Sequence, residues 1–172
     1  VAFMPNIPET VVAFLAAASL GAVWSSCSPD FGVRSVLDRF RQIEPKVLVC
    51  VDGYYYSGRP FDRTQEVREI VAALPTLQQV VCLRKLGDDR DLPVPQAVDW
   101  RTLMAKPASA PLSFAQVDFD HPLWVVYSSG TTGLPKAMVH GHGGITLELH
   151  KTIAFHCNLR RDTRMFFYRS EE

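Results

Sequence analysis

The residues best suited to chemistry lie between positions 128 and 136. Ser128, Ser129, Gly130, Thr131, Thr132 and Gly133 form an unbroken run of hydroxyl and glycine residues, and Lys136 follows just beyond Pro135. Glycines let backbone N–H groups approach a ligand with no Cβ in the way, and hydroxyls add further donors. A loop of this kind can wrap the oxygens of a polyphosphate, while one lysine neutralises part of its charge. The same residue types also make plain polar turns, and a lone lysine is usually solvated. The order favours phosphate: an apolar strand, a donor-dense loop, then a lysine. It is not a Walker A loop, which needs Lys directly after its second Gly and Ser or Thr after that Lys. Here two residues separate Gly133 from Lys136, Ala137 follows, and the chain resumes as a strand rather than a helix.

The elements around this loop must hold it. Leu123 to Tyr127 (LWVVY) reads as a short strand buried on both faces, as in a parallel sheet. Lys136 to His140 reads as the strand after the loop, and Gly143-Gly144 opens a helix with Ile145, Leu149, Ile153 and His156 on one face. Upstream, Val1 to Met4 is strand-like and Pro5 ends it. Asn6 with Glu9 reads as a capping box, Pro8 falls in the first helical turn, and Val11, Val12, Leu15, Ala16 and Ala18 mark a helix closed by Gly21. Ala22 to Ser26 is a second strand, followed by the turn Ser28-Pro29-Asp30. Val33, Val36, Leu37, Phe40 and Ile43 recur at helical spacing up to Pro45, and Val47 to Val51 is a third strand.

Asp52 to Pro60 reads as a loop, Val67, Ile70, Val71 and Leu74 as a helix face, and Gln79 to Leu83 as a fourth strand. Lys85 to Pro111 reads as a surface excursion with one short helical piece, Trp100 to Met104. Arg164 to Tyr168 is a last strand-like run. Strand–helix alternation of this kind forces a parallel sheet with right-handed crossovers. The expected fold class is therefore α/β, a largely parallel, doubly wound sheet with helices on both faces.

Composition narrows the function. The chain has 172 residues, 47% hydrophobic, with 18 basic and 18 acidic side chains and no basic stripe, so a nucleic-acid surface is not indicated. The longest apolar region, Val11 to Trp24, is broken by Ser19 and Gly21 and is too short to span a bilayer. The four cysteines, Cys27, Cys50, Cys82 and Cys157, contain no CxxC pair and read as reduced thiols, which makes a cytoplasmic location the expectation. His140 and His142 share a strand face, yet no spacing among the histidines and Cys157 matches a zinc pattern, so no metal site is expected. His121 and His150 read as surface residues.

YSSGTTGLPKAMVH resembles the phosphate-loop signature of the adenylate-forming enzymes, the superfamily of acyl-CoA synthetases, luciferases and peptide-synthetase adenylation domains. The longer stretches LWVVYSSGTTGLPKAMVHGHGG and GAVWSSCSPDFGVRSVLDRF are most similar to its acetoacetate-activating branch, and the resemblance runs from about Val1 to Tyr168. It implies an AMP-forming acid–thiol ligase with ATP, Mg²⁺ and CoA, acting on acetoacetate through an acyl-adenylate. It implies that Ser128, Ser129, Gly130, Thr131, Thr132, Gly133 and Lys136 hold the β- and γ-phosphates, with Lys136 and Thr132 as the candidate catalytic residues and a threonine hydroxyl reaching Mg²⁺. His140 would pack near the nucleotide or acyl site. Arg59, at the end of DGYYYSGR, matches an arginine near the CoA phosphate in acetyl-CoA synthetases; an ordinary surface arginine is the other reading. Tyr54, Tyr55 and Tyr56 would cover the sheet edge.

The resemblance also implies that residues 1–172 are a fragment of the large N-terminal domain, lacking the small C-terminal domain and inactive alone. The chain opens on VAFM with no initiator Met, and it leaves the family pattern at Arg169-Ser170-Glu171-Glu172. Two alternatives remain: an acetyl- or propionyl-CoA synthetase, or a non-catalytic nucleotide-binding remnant. No membrane span or nucleic-acid partner is expected.

Overall fold

A computed structural model describes residues 1–107, 111–128 and 133–166. Five parallel strands form the central sheet: β1 (Ala2–Phe3), β2 (Ser26–Cys27), β3 (Val47–Val51), β6 (Gln79–Leu83) and β7 (Ala97–Asp99). Their spatial order is β2-β1-β3-β6-β7, so the order reverses at β1. Successive side chains alternate between the two faces of the sheet. Phe3, Leu48, Cys50, Val80 and Cys82 point to one face and pack with Val36 and Phe40 of α2 (Val33–Phe40) and Val67 and Ile70 of α3 (Thr64–Ala73). Ala2, Met4, Val51 and Leu83 point to the other, with Ala13, Phe14 and Ala17 of α1 (Pro8–Ser19) and Trp100 of α4 (Trp100–Met104). Helices therefore cover both faces of a parallel sheet, as the sequence predicts.

Five local expectations change. First, α1 starts without the predicted Asn6 box. Its N-cap is Ile7, no side chain caps it, Pro8 occupies the first turn, and Thr10 Oγ1 donates back to the carbonyl of Pro5 at 2.7 Å. The proline needs no N–H partner, which lowers the demand for a cap.

Second, the predicted loop Asp52–Pro60 is mostly a hairpin, β4 (Gly53–Tyr56) paired antiparallel with β5 (Arg59–Asp62). Ser57 and Gly58 both take positive φ, 48° and 75°, the geometry that matches the twist of a tight two-residue turn. Three consecutive tyrosines are good strand formers, a signal outweighed in the sequence by the flanking Gly and Ser.

Third, the predicted excursion 85–111 contains β7, an edge strand of three residues that Pro93 and Pro95 disguise. Its Asp99 then caps α4 by accepting from the Thr102 N–H at 2.8 Å. Burial pushes the Asp99 carboxyl up, but the Thr102 N–H and the Arg84 guanidinium outweigh it and leave its pKa below the usual range.

Fourth, the strand before the polar loop, β8 (Pro122–Ser128), is not buried on both faces. It pairs antiparallel with β9 (Lys136–Gly141), with Leu123 and Val125 buried while Val126 stays 38% exposed. It runs parallel to the sheet only through one bridge, Trp24 to Trp124. A run of apolar residues cannot by itself distinguish a central strand from one arm of a hairpin.

Fifth, the following helix α5 (His142–Lys151) starts one residue before Gly143-Gly144 and runs into a wider π-type turn at Thr152–His156. The strand expected at Arg164–Tyr168 is irregular through Phe166; Phe167 and Tyr168 lie outside the described residues.

Candidate functional site

The polar loop closes off the β8–β9 hairpin. Ser128 and Lys136 are the last cross-strand pair, so their backbones are opposed at the base of the loop. Ser129, Gly130, Thr131 and Thr132 lie outside the described residues. Gly133 has φ 142°, a conformation side-chain-bearing residues rarely adopt, although among the described residues nothing lies within 4 Å of where its Cβ would stand. The glycine is thus required by backbone shape and not by crowding. Lys136 is exposed, its ammonium open to a ligand.

Five hydrogen bonds fix this hairpin against the chain just before β2, against α2 and against the turn after α2. Ser25 Oγ donates to the Val125 carbonyl at 2.8 Å in a buried setting, and Trp24 exchanges backbone bonds with Leu123 (2.9 Å) and Val125 (2.7 Å). Tyr127 Oη donates to the carbonyl of Arg39 in α2 at 2.8 Å, and Gln42 Nε2 donates to the carbonyl of Pro135 inside the loop at 2.9 Å. Burial, with the neighbouring Cys27, raises the Tyr127 pKa against the lowering effects of Ser25 and Arg39. Arg39 in turn lies 5.1 Å from the Phe31 ring centroid and 5.9 Å from that of Tyr127. The loop therefore stands on the end of α2 as well as on its own strands.

Because β8 runs parallel to Trp24, the polar loop leaves from its carboxyl end, on the side where β1, β2 and β3 end. Open α/β sheets bind ligands on that side, near the point where strand order reverses. A cavity of about 410 Å³ opens between β2 and β8, bordered by Phe14, Trp24, Phe31, Arg39, Trp124 and Tyr127. Trp124 Nε1 donates to His140 Nδ1 at 2.9 Å, which fixes that imidazole's orientation beside the cavity wall. His140 is thus held by Trp124, and its expected place near a ligand rests on that neighbour. His121, expected at the surface, is half-buried with Nε2 2.7 Å from the Gly21 carbonyl; His150 is exposed as expected.

Arg59 is exposed at the tip of the β4–β5 hairpin, an element different from the one that carries Lys136. That hairpin also rises from the carboxyl end of a strand, β3. Sequence reasoning did not single out Arg39, Gln42 or the Trp124–His140 pair. Gln42 carried no signal at all, while Arg39 and Trp124 were read only as parts of a helix and a strand.

The "AMP-binding enzyme" family pattern matches residues 1–168. The chain belongs to the AMP-binding enzyme family. Among relatives, it is 45% identical over 171 residues to an acetoacetyl-coenzyme A synthetase of Rhizobium meliloti, covering 97% of this chain and 26% of that protein. It is 41% identical over 174 residues to the acetoacetyl-CoA synthetase of Rattus norvegicus, with 98% and 26% coverage. The solved acetoacetyl-CoA synthetase from Streptomyces lividans superposes with a TM-score of 0.86 at 53% identity, over 92% of this chain and 24% of that one. The α/β fold described above is that of these AMP-binding enzymes. This chain spans about a quarter of the length of the relatives it matches. Among its described residues, no helix is long and apolar enough to cross a membrane.

Proposed function

We propose that this chain is the phosphate-holding part of an acid–thiol ligase that activates acetoacetate as an acyl-adenylate and transfers the acyl group to CoA. The observation that carries this reading is the Ser128–Lys136 frame, which closes a glycine- and hydroxyl-rich loop at the carboxyl edge of the sheet. The names of its relatives supply the acid. On this reading residues 1–172 belong to the AMP-binding N-terminal domain of a longer cytoplasmic enzyme, and the small C-terminal domain lies outside them.

ATP supplies the electrophilic α-phosphorus and the pyrophosphate leaving group. The backbone N–H groups and hydroxyls of Ser128, Ser129, Gly130, Thr131, Thr132 and Gly133 orient the β- and γ-phosphates, and Lys136 neutralises charge that builds on the departing pyrophosphate. Pre-aimed donors of this sort act on developing charge without any acid–base pair. Mg²⁺ would arrive with the nucleotide and take a hydroxyl of Thr131 or Thr132. Among the described residues no cluster of three or more His, Cys, Asp or Glu could hold a metal. Arg59 would pair with a phosphate of CoA.

The test is acid-dependent ATP–pyrophosphate exchange by the complete enzyme, with acetoacetate compared against acetate and propionate. Fastest exchange with acetoacetate is expected; equal or faster exchange with either rival acid would reassign the substrate.

A further inference from the structure

Both stems of the polar loop are tied to one short stretch at the end of α2. Tyr127, the residue before Ser128, donates from Oη to the Arg39 carbonyl at 2.8 Å. Pro135, the residue before Lys136, accepts from Gln42 Nε2 at 2.9 Å. Arg39 lies in the last turn of α2, and Gln42 sits just beyond it, in the tight turn Arg41–Ile43 that extends the helix.

Gln42 is suited to this contact by a second one. Its Nε2 also donates to the Asp38 carbonyl at 2.7 Å, in the last turn of α2, where partners within the helix run out. Both partners are acceptors, so the nitrogen of the amide must face them and not its oxygen. One N–H of the amide grips the helix and the other reaches the loop. The helix contact holds the exposed side chain in place, which lowers the entropy lost when it also binds the loop.

The place of the loop contact gives it its consequence. A peptide unit is planar, so holding the Pro135 carbonyl also sets the direction of the Lys136 N–H and the start of the Lys136 side chain. Lys136 pairs across the hairpin with Ser128, and beyond that pair the chain is the loop itself. Among the described residues, the other hydrogen bonds that tie the hairpin to α2 and to the chain before β2, made with Ser25, Trp24 and Arg39, all meet β8. Gln42 is the tether on the arm that carries the lysine.

We propose that Gln42 is a positioning residue for the adenylation step: by holding the Pro135 carbonyl, it keeps Lys136 aimed at the β- and γ-phosphates of ATP. This rests on the ligase reading above and makes the end of α2 part of the phosphate site. Gln42 touches no substrate and acts through Lys136.

The experiment uses the complete enzyme and a double-mutant cycle of Gln42→Met with Lys136→Ala. Methionine keeps the unbranched shape and helix-forming tendency of glutamine and removes both N–H donors. Gln42→Met should slow acyl-adenylate formation roughly three- to tenfold, the range for one lost hydrogen bond. It should leave thioester formation from preformed acetoacetyl-adenylate unchanged. In the Lys136→Ala background the same substitution should change adenylate formation less than about twofold, because the group it positions is gone. The same loss in both backgrounds overturns the inference, since Gln42 would then act independently of Lys136. Equal losses in the two half-reactions also overturn it, because Gln42 would only support the fold, and so does an unchanged rate of adenylate formation.

Calorimetry with MgATP separates this result from the ligase reading. If the wild type binds MgATP but shows no acid-dependent pyrophosphate exchange, the ligase reading fails and affinity alone judges the tether. Binding that Gln42→Met weakens in the wild type, but not in the Lys136→Ala background, supports the inference. Binding that it leaves unchanged, or weakens equally in both, overturns the inference. No binding by the wild type overturns both.

Discussion

The five-stranded sheet and the β8–β9 hairpin solve opposite problems. Helices pack on both faces of the sheet, and the large side chains Phe3 and Leu48 of its strands and Phe40 and Ile70 of its helices are fully buried. In the hairpin only Leu123 and Val125 are buried, β9 exposes Met138 at 41% and Val139 at 60%, and the loop stands on a few hydrogen bonds from Ser25, Tyr127 and Gln42. Burial supplies most of the free energy of folding, so stability is concentrated in the sheet. The hairpin leaves Lys136 and most of β9 exposed, which the proposed ligand requires. These cross-links, with the backbone bonds of Trp24, show how a thinly packed limb is held in place by polar contacts to a rigid neighbour.

The comparison predicts unequal mutational costs. Phe40→Ala empties the closed face between α2 and α3 and should cost about 3–5 kcal/mol. Val139→Ala, on the exposed strand, should cost under about 0.5 kcal/mol. Urea unfolding of the two variants measures both, and similar midpoints would break the contrast. Gly133→Ala comes next. Its φ of 142° makes the substitution strained by about 1–3 kcal/mol, while no described atom stands within 4 Å of its Cβ position. The strain should move the loop and not unfold the sheet, so the KM for ATP should rise with an unchanged urea midpoint. A lowered midpoint would show that the loop is part of the cooperative core.

Tyr127→Phe removes one tether and should cost about 0.5–1.5 kcal/mol. It carries a pH signature. Burial raises the folded-state pKa of Tyr127, so its contribution is fully present below the ordinary tyrosine value of about 10 and is lost as pH rises through the folded value. The wild type should therefore lose stability above that pH more steeply than Tyr127→Phe, and parallel slopes would contradict the assignment. The smallest effect is chemical. Cys27, Cys50 and Cys82 are buried, and burial pushes the Cys27 thiol up to about 12. The Cys50 thiol is raised by its hydrogen bond to Cys82 and by burial. Only the exposed Cys157, beyond the hairpin, should react with iodoacetamide at pH 8 in the native protein, as peptide mapping would show. Modification of a sheet cysteine would mean that the sheet opens.

Much of the sheet was legible because its strands are buried on both faces and its helices repeat apolar residues at 3.6 spacing. Val36 with Phe40 and Val67 with Ile70 are such pairs, and they carry the core. What was hidden was pairing. LWVVY gives the same apolar run whether its partner is a parallel neighbour or the next arm of a hairpin, and β7 is too short between prolines to show a period. At the proposed site, the loop's residues stood out in the sequence because glycine, hydroxyl and lysine types would themselves supply the chemistry. Arg39 and Gln42 support the loop from α2 and the turn after it, more than eighty residues upstream, through a side chain–carbonyl contact and a ring contact that no local pattern encodes. The β4–β5 hairpin was half visible: three tyrosines were noticed, but the pairing of Tyr54 with Phe61 and Tyr56 with Arg59 appears only once the turn at Ser57-Gly58 fixes the register.

The central claim is that the Ser128–Lys136 frame acts on the phosphates of ATP and on nothing later in the reaction. Lys136→Ala in the complete enzyme tests it, because the glycines and hydroxyls of the loop remain and an exposed lysine is not needed for folding. Losing one charge-assisted contact of about 1.5–3 kcal/mol should slow acyl-adenylate formation roughly tenfold to two-hundredfold. Thioester formation from preformed acetoacetyl-adenylate should be nearly unchanged, since pyrophosphate has already departed. Equal losses in both half-reactions, or none in either, would contradict the account.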